Sequence, residues 1–192
     1  MELPTPDLPD LDRMPLLVVD VQQGFDAADY WGPRNNPACE QNIAVLVAEW
    51  RAHSRPVVFV RHDSTEAASP LCPGQPGNDF KGVLTGPADL LVTKHVNSCF
   101  HGTPDLDAWL RRHDLDGFVL AGITTNHCCE TTARVGGNLG HQVLLALDAT
   151  HTFDRTGPDG KVVSADELTR ATAANLHGEF ATVVATVHLL GP

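Results

Sequence analysis

The sequence predicts an α/β fold with three layers, α/β/α, around a six-stranded, mostly parallel sheet. Three observations carry this expectation. Short apolar runs recur along the 192 residues and alternate with stretches of helical periodicity. The runs are continuously apolar rather than alternating, as strands buried on both faces are. The regular strand–helix alternation is the pattern of a sheet wound with right-handed crossovers.

The elements follow in order. Residues 1–14 are acidic and proline-rich and read as a flexible arm, leaving a single domain over 15–192. "PLLVVDVQ" (15–22) is a buried strand. "ACEQNIAVLVAEWRAH" (38–53) sets Ile43, Leu46, Val47 and Trp50 at helical spacing. "PVVFVR" (56–61) and "DLLVTK" (89–94) are the next two strands. "TPDLDAWLRRH" (103–113) reads as a helix with Thr103 as cap and Pro104 at its first position. "GFVLAGI" (117–123) is a strand, and "CCETTARVGGNLG" a helix ending near Gly140. "HQVLLALDAT" (141–150) is the fifth strand. "SADELTRATAANLHG" (164–178) opens on an S-x-x-E capping box and stops at a glycine. "FATVVATVHLL" reads as the sixth strand. Segments 24–37, 63–88 and 151–163 are expected to be loops. The second is longer than most connections, which points to function or mobility.

Composition excludes several roles. The formal net charge is -11 and no basic block occurs, which argues against nucleic-acid binding. No apolar run approaches the roughly 20 residues of a membrane helix, and the acidic start is unlike a signal or transit peptide. Five cysteines, an odd number, fit reduced thiols and a cytoplasmic location. The histidines are scattered, with no C-x-x-C or H-E-x-x-H spacing, so neither a metal nor another cofactor is expected.

In an open parallel sheet, ligands bind beyond the carboxyl ends of the strands. The first strand ends in Asp20, the third in Lys94, and the fourth runs into a turn that delivers Cys128. Taken singly, Asp20 is as good a turn cap, Lys94 a solvated strand end and Cys128 a small buried side chain. Together they put an acid, an amine and a thiol on one edge of the sheet.

The segments "VVDVQQGF", "VTKHVNSCF" and "GITTNHCCETTAR" resemble those of the isochorismatase-like cysteine hydrolases, over roughly residues 15–190. The resemblance implies a six-stranded parallel α/β fold and an Asp-Lys-Cys triad, with Asp20 as base, Lys94 as orienting cation and Cys128 as nucleophile. It also implies a cis peptide between Ile123 and Thr124, and an oxyanion hole built from the backbone N–H groups of Thr124 and Cys128. The family is usually oligomeric, so a dimer or tetramer is expected, with Trp31 and "ATVVATVHLL" offering apolar faces.

Two adjacent thiols raise the question of which one acts. The family places its nucleophile six residues after the glycine, and Gly122 leads to Cys128. Physics agrees. A thiol in the first turn of a helix lies near the positive end of the dipole, which favours thiolate. The next residue is rotated by about 100°, so Cys129 should face the core, where relatives carry a small apolar residue. A vicinal disulfide is disfavoured in a reducing compartment.

Other residues invite readings. Glu130 suits a first helical turn, and Thr132, Arg134 and Asp148 read as packing or turn residues. Phe25, Trp31, Phe100 and His127 are candidate substrate contacts, since pockets are walled mainly by apolar and aromatic groups. Gln22 and Asn97 lie near enough in sequence to touch substrate too. Nicotinamidases of the family bind a metal through D-x-H after the second strand. Here "RHDSTEAASP" has His62 and Asp63 in the wrong order, which weakens that reading. The intact triad favours hydrolysis of a small amide or carbamoyl substrate through a thioester, with 63–88 and the segment "FDRTGPDGK" setting specificity. The alternatives are an isochorismatase-type ether hydrolase, a redox-sensing thiol protein, and a non-catalytic relic.

Overall fold

The computed structural model describes residue 3 and residues 5–191. The main sheet holds β1 (Leu16–Val19), β2 (Val57–His62), β3 (Leu90–Lys94), β4 (Gly117–Ile123), β5 (Gln142–His151) and β8 (Thr182–Val184). Their spatial order is β3-β2-β1-β4-β5-β8, and every pairing is parallel. A separate antiparallel hairpin, β6 (Arg155–Thr156) and β7 (Val162–Val163), lies within the expected loop 151–163. The helices are α1 (Ala28–Trp31), α2 (Cys39–Ala52), α3 (Leu106–Arg112), α4 (Glu130–Asn138) and α5 (Ala165–Leu176).

The apolar strands build two cores because successive side chains point to opposite faces. Leu16, Val18, Phe59, Val119 and Ala146 meet Ile43, Leu46, Val47 and Trp50 of α2 on one face. Leu17, Val19, Val58, Leu120 and Leu145 meet Leu106, Leu110, Ala133, Ala173 and Leu176 of α3, α4 and α5 on the other. The expected three layers are therefore present. The aligned chain direction brings all strand C-termini to one edge. The winding reverses between β1 and β4, which opens the crevice where such sheets bind ligands.

Local details depart from the sequence reading. Asp105, not Thr103, caps α3, its Oδ1 accepting the Ala108 N–H at 3.0 Å. Thr103 is unavailable because its backbone exchanges two 2.8 Å hydrogen bonds with Thr93, and the Thr103–Pro104 peptide is cis and outside the helix. The sixth strand stops at Val184. Asp148 Oδ1 accepts from Thr186 N (2.7 Å) and Thr186 Oγ1 (2.8 Å), drawing the chain into a 3₁₀ turn over Thr186–Leu189. The capping box of α5 forms as expected between Ser164 and Glu167. Leu8 and Leu11 of the N-terminal arm rest against the α2-side core, and Arg13 pairs with Asp116.

Candidate active site

Three strand ends build the site. At the end of β1 the chain turns through a left-handed conformation, Asp20 φ +53°, which re-aims its side chain off the sheet. At the end of β4, Gly122 has φ +136°, and a Cβ there would lie 2.1 Å from the Val19 carbonyl oxygen. Only glycine lets β4 close on β1 at this point. The Ile123–Thr124 peptide that follows is cis. The next five residues, Thr125–Cys129, form a π turn rather than the start of an α-helix. Thr124 O accepts from both His127 N (3.3 Å) and Cys129 N (3.2 Å), which widens the turn. The helix expected from Cys128 thus becomes α-helical only at Glu130.

Lys94 binds the group together. Its Nζ lies 2.6 Å from Asp20 Oδ2 and 3.4 Å from Cys128 Sγ, with the Asp20 and Lys94 side chains fully buried. The three residues named at the strand ends therefore meet. Asp20 Oδ1 has no hydrogen-bond partner among the described residues. Burial opposes the charged ammonium, yet the Asp20 carboxylate outweighs it and holds Lys94 above the ordinary lysine value. Burial pushes the Cys128 thiol well up, the Asp20 carboxylate adds to the rise, and Lys94 opposes it without reversing it. This corrects the expectation of a thiolate favoured by a helix end. Desolvation of the buried sulfur disfavours its charged form, so the Asp20–Lys94 pair lies beside a thiol whose protonated form is favoured.

The other cysteines stand apart. Cys129 is fully buried in the α3–α5 core. Cys99 is buried beside Thr132, whose hydroxyl lies 3.2 Å from its sulfur, and burial pushes its thiol to about 12. Cys39 is raised by burial on the α2 side. All five are free thiols.

The expected substrate contacts divide. Phe25 and Trp31 form an aromatic group with Phe153, centroids 4.9 to 6.2 Å apart, and Trp31 Nε1 donates to Gly24 O at 2.8 Å. Trp31 is thus half-buried, with one side packed within its own chain. His127 Nδ1 lies 3.4 Å from Arg155 Nη2 of the hairpin. Phe100 is turned away from the triad. Its ring packs on Phe118 and His141 beside Gly136, near the strand N-termini, where it anchors the turn after β3. Asn97 Oδ1 approaches Cys128 Sγ at 3.8 Å. Glu130 joins Arg134 and Thr172, and Asp148 secures the Thr186 turn, so both are structural.

One neighbour, weighed in the sequence only as part of a metal pattern, takes another place. His62, the last residue of β2, places Nδ1 3.3 Å from Lys94 Nζ. Asp20, His62 and Cys128 offer ligand atoms within 4.8 Å of one another, the one such cluster among the described residues. The Lys94 ammonium contacts all three. Gln22, at the β1 end, bonds the His62 backbone through Oε1 (2.8 Å) and Nε2 (3.0 Å). The available signal was register: β2 lies between β1 and β3, so its last residue must lie under any bridge from Lys94 to Asp20.

Comparison with known proteins agrees with this geometry. The family model of the isochorismatase domain matches residues 15–184. YrdC, an isochorismatase family protein of Bacillus subtilis, is 35% identical over 181 residues, covering 93% of this chain and 95% of its own. Nicotinamidase 3 of Arabidopsis thaliana is 30% identical over 187 residues, covering 88% of this chain and 83% of its own. The crystal structure of a putative hydrolase of the isochorismatase family from Chromobacterium violaceum superposes with a TM-score of 0.90 at 41% identity, covering 97% and 96% of the two chains. With the whole β-sheet and the Asp20–Lys94–Cys128 arrangement inside the matched span, the chain belongs to the isochorismatase family.

Proposed function

We propose that the protein is a cysteine hydrolase that cleaves the C–N bond of a small amide or carbamoyl compound through a thioester. The observation that carries this is the buried Lys94 ammonium, within 2.6 Å of the Asp20 carboxylate and 3.4 Å of the Cys128 sulfur. A neutral thiol in a dry site needs a base, and Asp20 Oδ1 has no other partner among the described residues. Asp20 takes the Cys128 proton as sulfur forms a bond to the substrate carbonyl carbon. Lys94 keeps its charge throughout and holds the anionic member of the pair, first carboxylate, then thiolate. The carbonyl oxygen gathers negative charge, and the Thr124 and Cys128 N–H groups are the assigned donors to it. The C–N bond then breaks, and the leaving nitrogen takes the proton from Asp20. Water next gives a proton to Asp20 and attacks the thioester. The C–S bond breaks, the acid leaves, and the proton returns to Cys128.

Kinship with a nicotinamidase supports C–N chemistry, while the region after β2 lacks the D-x-H order of metal-binding nicotinamidases. The buried, protonated thiol speaks against a sensor role, which wants exposed thiolate. The substrate is a small molecule, with the 63–88 loop, the 151–163 hairpin segment and the Phe25–Trp31–Phe153 group as its walls. A panel of primary amides and ureido compounds, assayed for ammonia, tests the reading. Turnover by the wild type, its loss in Cys128→Ala, and an acyl adduct on Cys128 by mass spectrometry are the expected results. Turnover that survives in Cys128→Ala would overturn it.

A further inference from the structure

We infer that His62 is a positioning residue, whose neutral imidazole takes the third hydrogen bond of Lys94 and thereby aims the ammonium at Asp20 and Cys128. The inference rests on the hydrolase reading above.

An ammonium has three N–H donors and no acceptor. Lys94 has three polar side-chain partners: Asp20 Oδ2 at 2.6 Å, His62 Nδ1 at 3.3 Å and Cys128 Sγ at 3.4 Å. The set is complete, and removing one acceptor leaves a donor of a buried cation unpaired. Topology makes the contact unavoidable. Lys94 is on β3 and Asp20 follows β1, with β2 between them, and His62 is the direct register partner of Lys94. The lysine reaches Asp20 only by passing over His62.

The histidine is itself held. Its carbonyl accepts from Gln22 Nε2 (3.0 Å) and Asn78 Nδ2 (3.1 Å), and its N–H donates to Gln22 Oε1 (2.8 Å). Gln22 and Asn78 are both buried. Because Lys94 can only donate, His62 must be neutral and carry its proton on Nε2. Burial disfavours the imidazolium and Lys94 disfavours it further, so the pKa lies below the ordinary histidine value. The charged or titratable groups around the ring are Lys94 and His95 from β3 and its end, Asp20 after β1, Asp63 beside it, and Cys128 from the π turn. Asp63 is engaged by Arg61 (2.8 Å) and Asn78 (3.0 Å). Protonating His62 removes the Nδ1 lone pair and sets two cations side by side, which drives the ammonium off its mark.

The test uses iodoacetamide alkylation of Cys128, mapped by mass spectrometry between pH 5 and 9, and needs no substrate. Asparagine carries its carbonyl oxygen at the δ position where histidine has Nδ1, whereas leucine offers no acceptor. His62→Leu should slow Cys128 alkylation about tenfold at pH 7, the weight of one hydrogen bond to a charged group. His62→Asn should recover most of that rate. The wild-type rate should fall with two-proton steepness at acid pH, and the His62→Asn rate with one-proton steepness. Wild-type rate and profile in His62→Leu, together with a changed rate in Lys94→Met, would overturn the inference and leave the hydrolase reading standing. Equal rates in wild type, His62→Leu and Lys94→Met would overturn both. A loss of rate in His62→Leu that His62→Asn does not recover, with an unchanged pH profile, would mark a structural role only and also overturn the inference.

Discussion

Lys94 Nζ and Asp20 Oδ2 lie 2.6 Å apart with neither side chain reaching solvent, although Lys94 ends β3 and Asp20 follows β1, strands that are not neighbours in the sheet. A buried pair broken on one side leaves an uncompensated charge, which costs about 3–5 kcal/mol. Lys94→Met should therefore lower the unfolding free energy by that amount in urea titrations at pH 7. The double variant Asp20→Asn/Lys94→Met should recover part of the loss. A single variant within about 1 kcal/mol of wild type would mean the pair carries no such charge.

The protonation state of Cys128 sets a direction for chemistry. Its thiol is raised by burial and by Asp20. Free enzyme should then alkylate faster as pH rises past about 9, with no plateau at mildly acid pH. Asp20→Asn removes the neighbouring negative charge and should lower the thiol pKa, so alkylation of this variant at pH 7 rises while substrate turnover falls at least about a hundredfold for want of a base. Turnover that survives in Asp20→Asn at the wild-type rate would contradict the assignment of Asp20 as the base.

His151 is fully buried at the end of β5, and neither ring nitrogen has a hydrogen-bond partner among the described residues. Burial, reinforced by Arg34, lowers its pKa to about 3. A depressed histidine favours the folded state only while neutral. Its contribution is present above the unfolded value of about 6.5 and is lost as pH falls toward the folded one. Wild-type stability should drop by about 1.4 kcal/mol per pH unit from this group alone. His151→Leu should flatten the slope between pH 6 and 4 in urea midpoints. An unchanged slope would assign the acid sensitivity elsewhere.

Gly122 tests the closeness of β1 and β4. Alanine would bring a Cβ to 2.1 Å from Val19 O, at φ +136°, and neither backbone can yield without moving the site. Gly122→Ala should lose at least about 3 kcal/mol, whereas a Gly→Ala change at a compatible position stabilises by about 0.4–1 kcal/mol. A calorimetric midpoint equal to wild type would show that the strands have room here.

Much is legible in the sequence itself. Continuous apolar runs at strand length specify a doubly covered parallel sheet, and the two cores found on its faces follow from alternation of side chains. Asp20, Lys94 and Cys128 could be picked out because parallel strands carry their last residues to one edge. Cys129 could be sent to the core because consecutive helical residues point apart. The capping box at Ser164 is likewise a local signal. Each of these is a period, a spacing or a short-range hydrogen bond, and such things are written in neighbouring residues.

Only the folded chain decided the rest. Thr103 lost its cap role to a partner ten residues away in β3, and β8 ended early because Asp148 captures Thr186. Phe100 went to the far end of the sheet, and Trp31 found Phe25 and Phe153. Burial and Asp20 push the Cys128 thiol up, and His62 joined Lys94. These outcomes depend on desolvation and on distances between segments far apart in the chain. Both are sums over neighbours that exist only once the sheet has closed, so no local pattern in the sequence carries them.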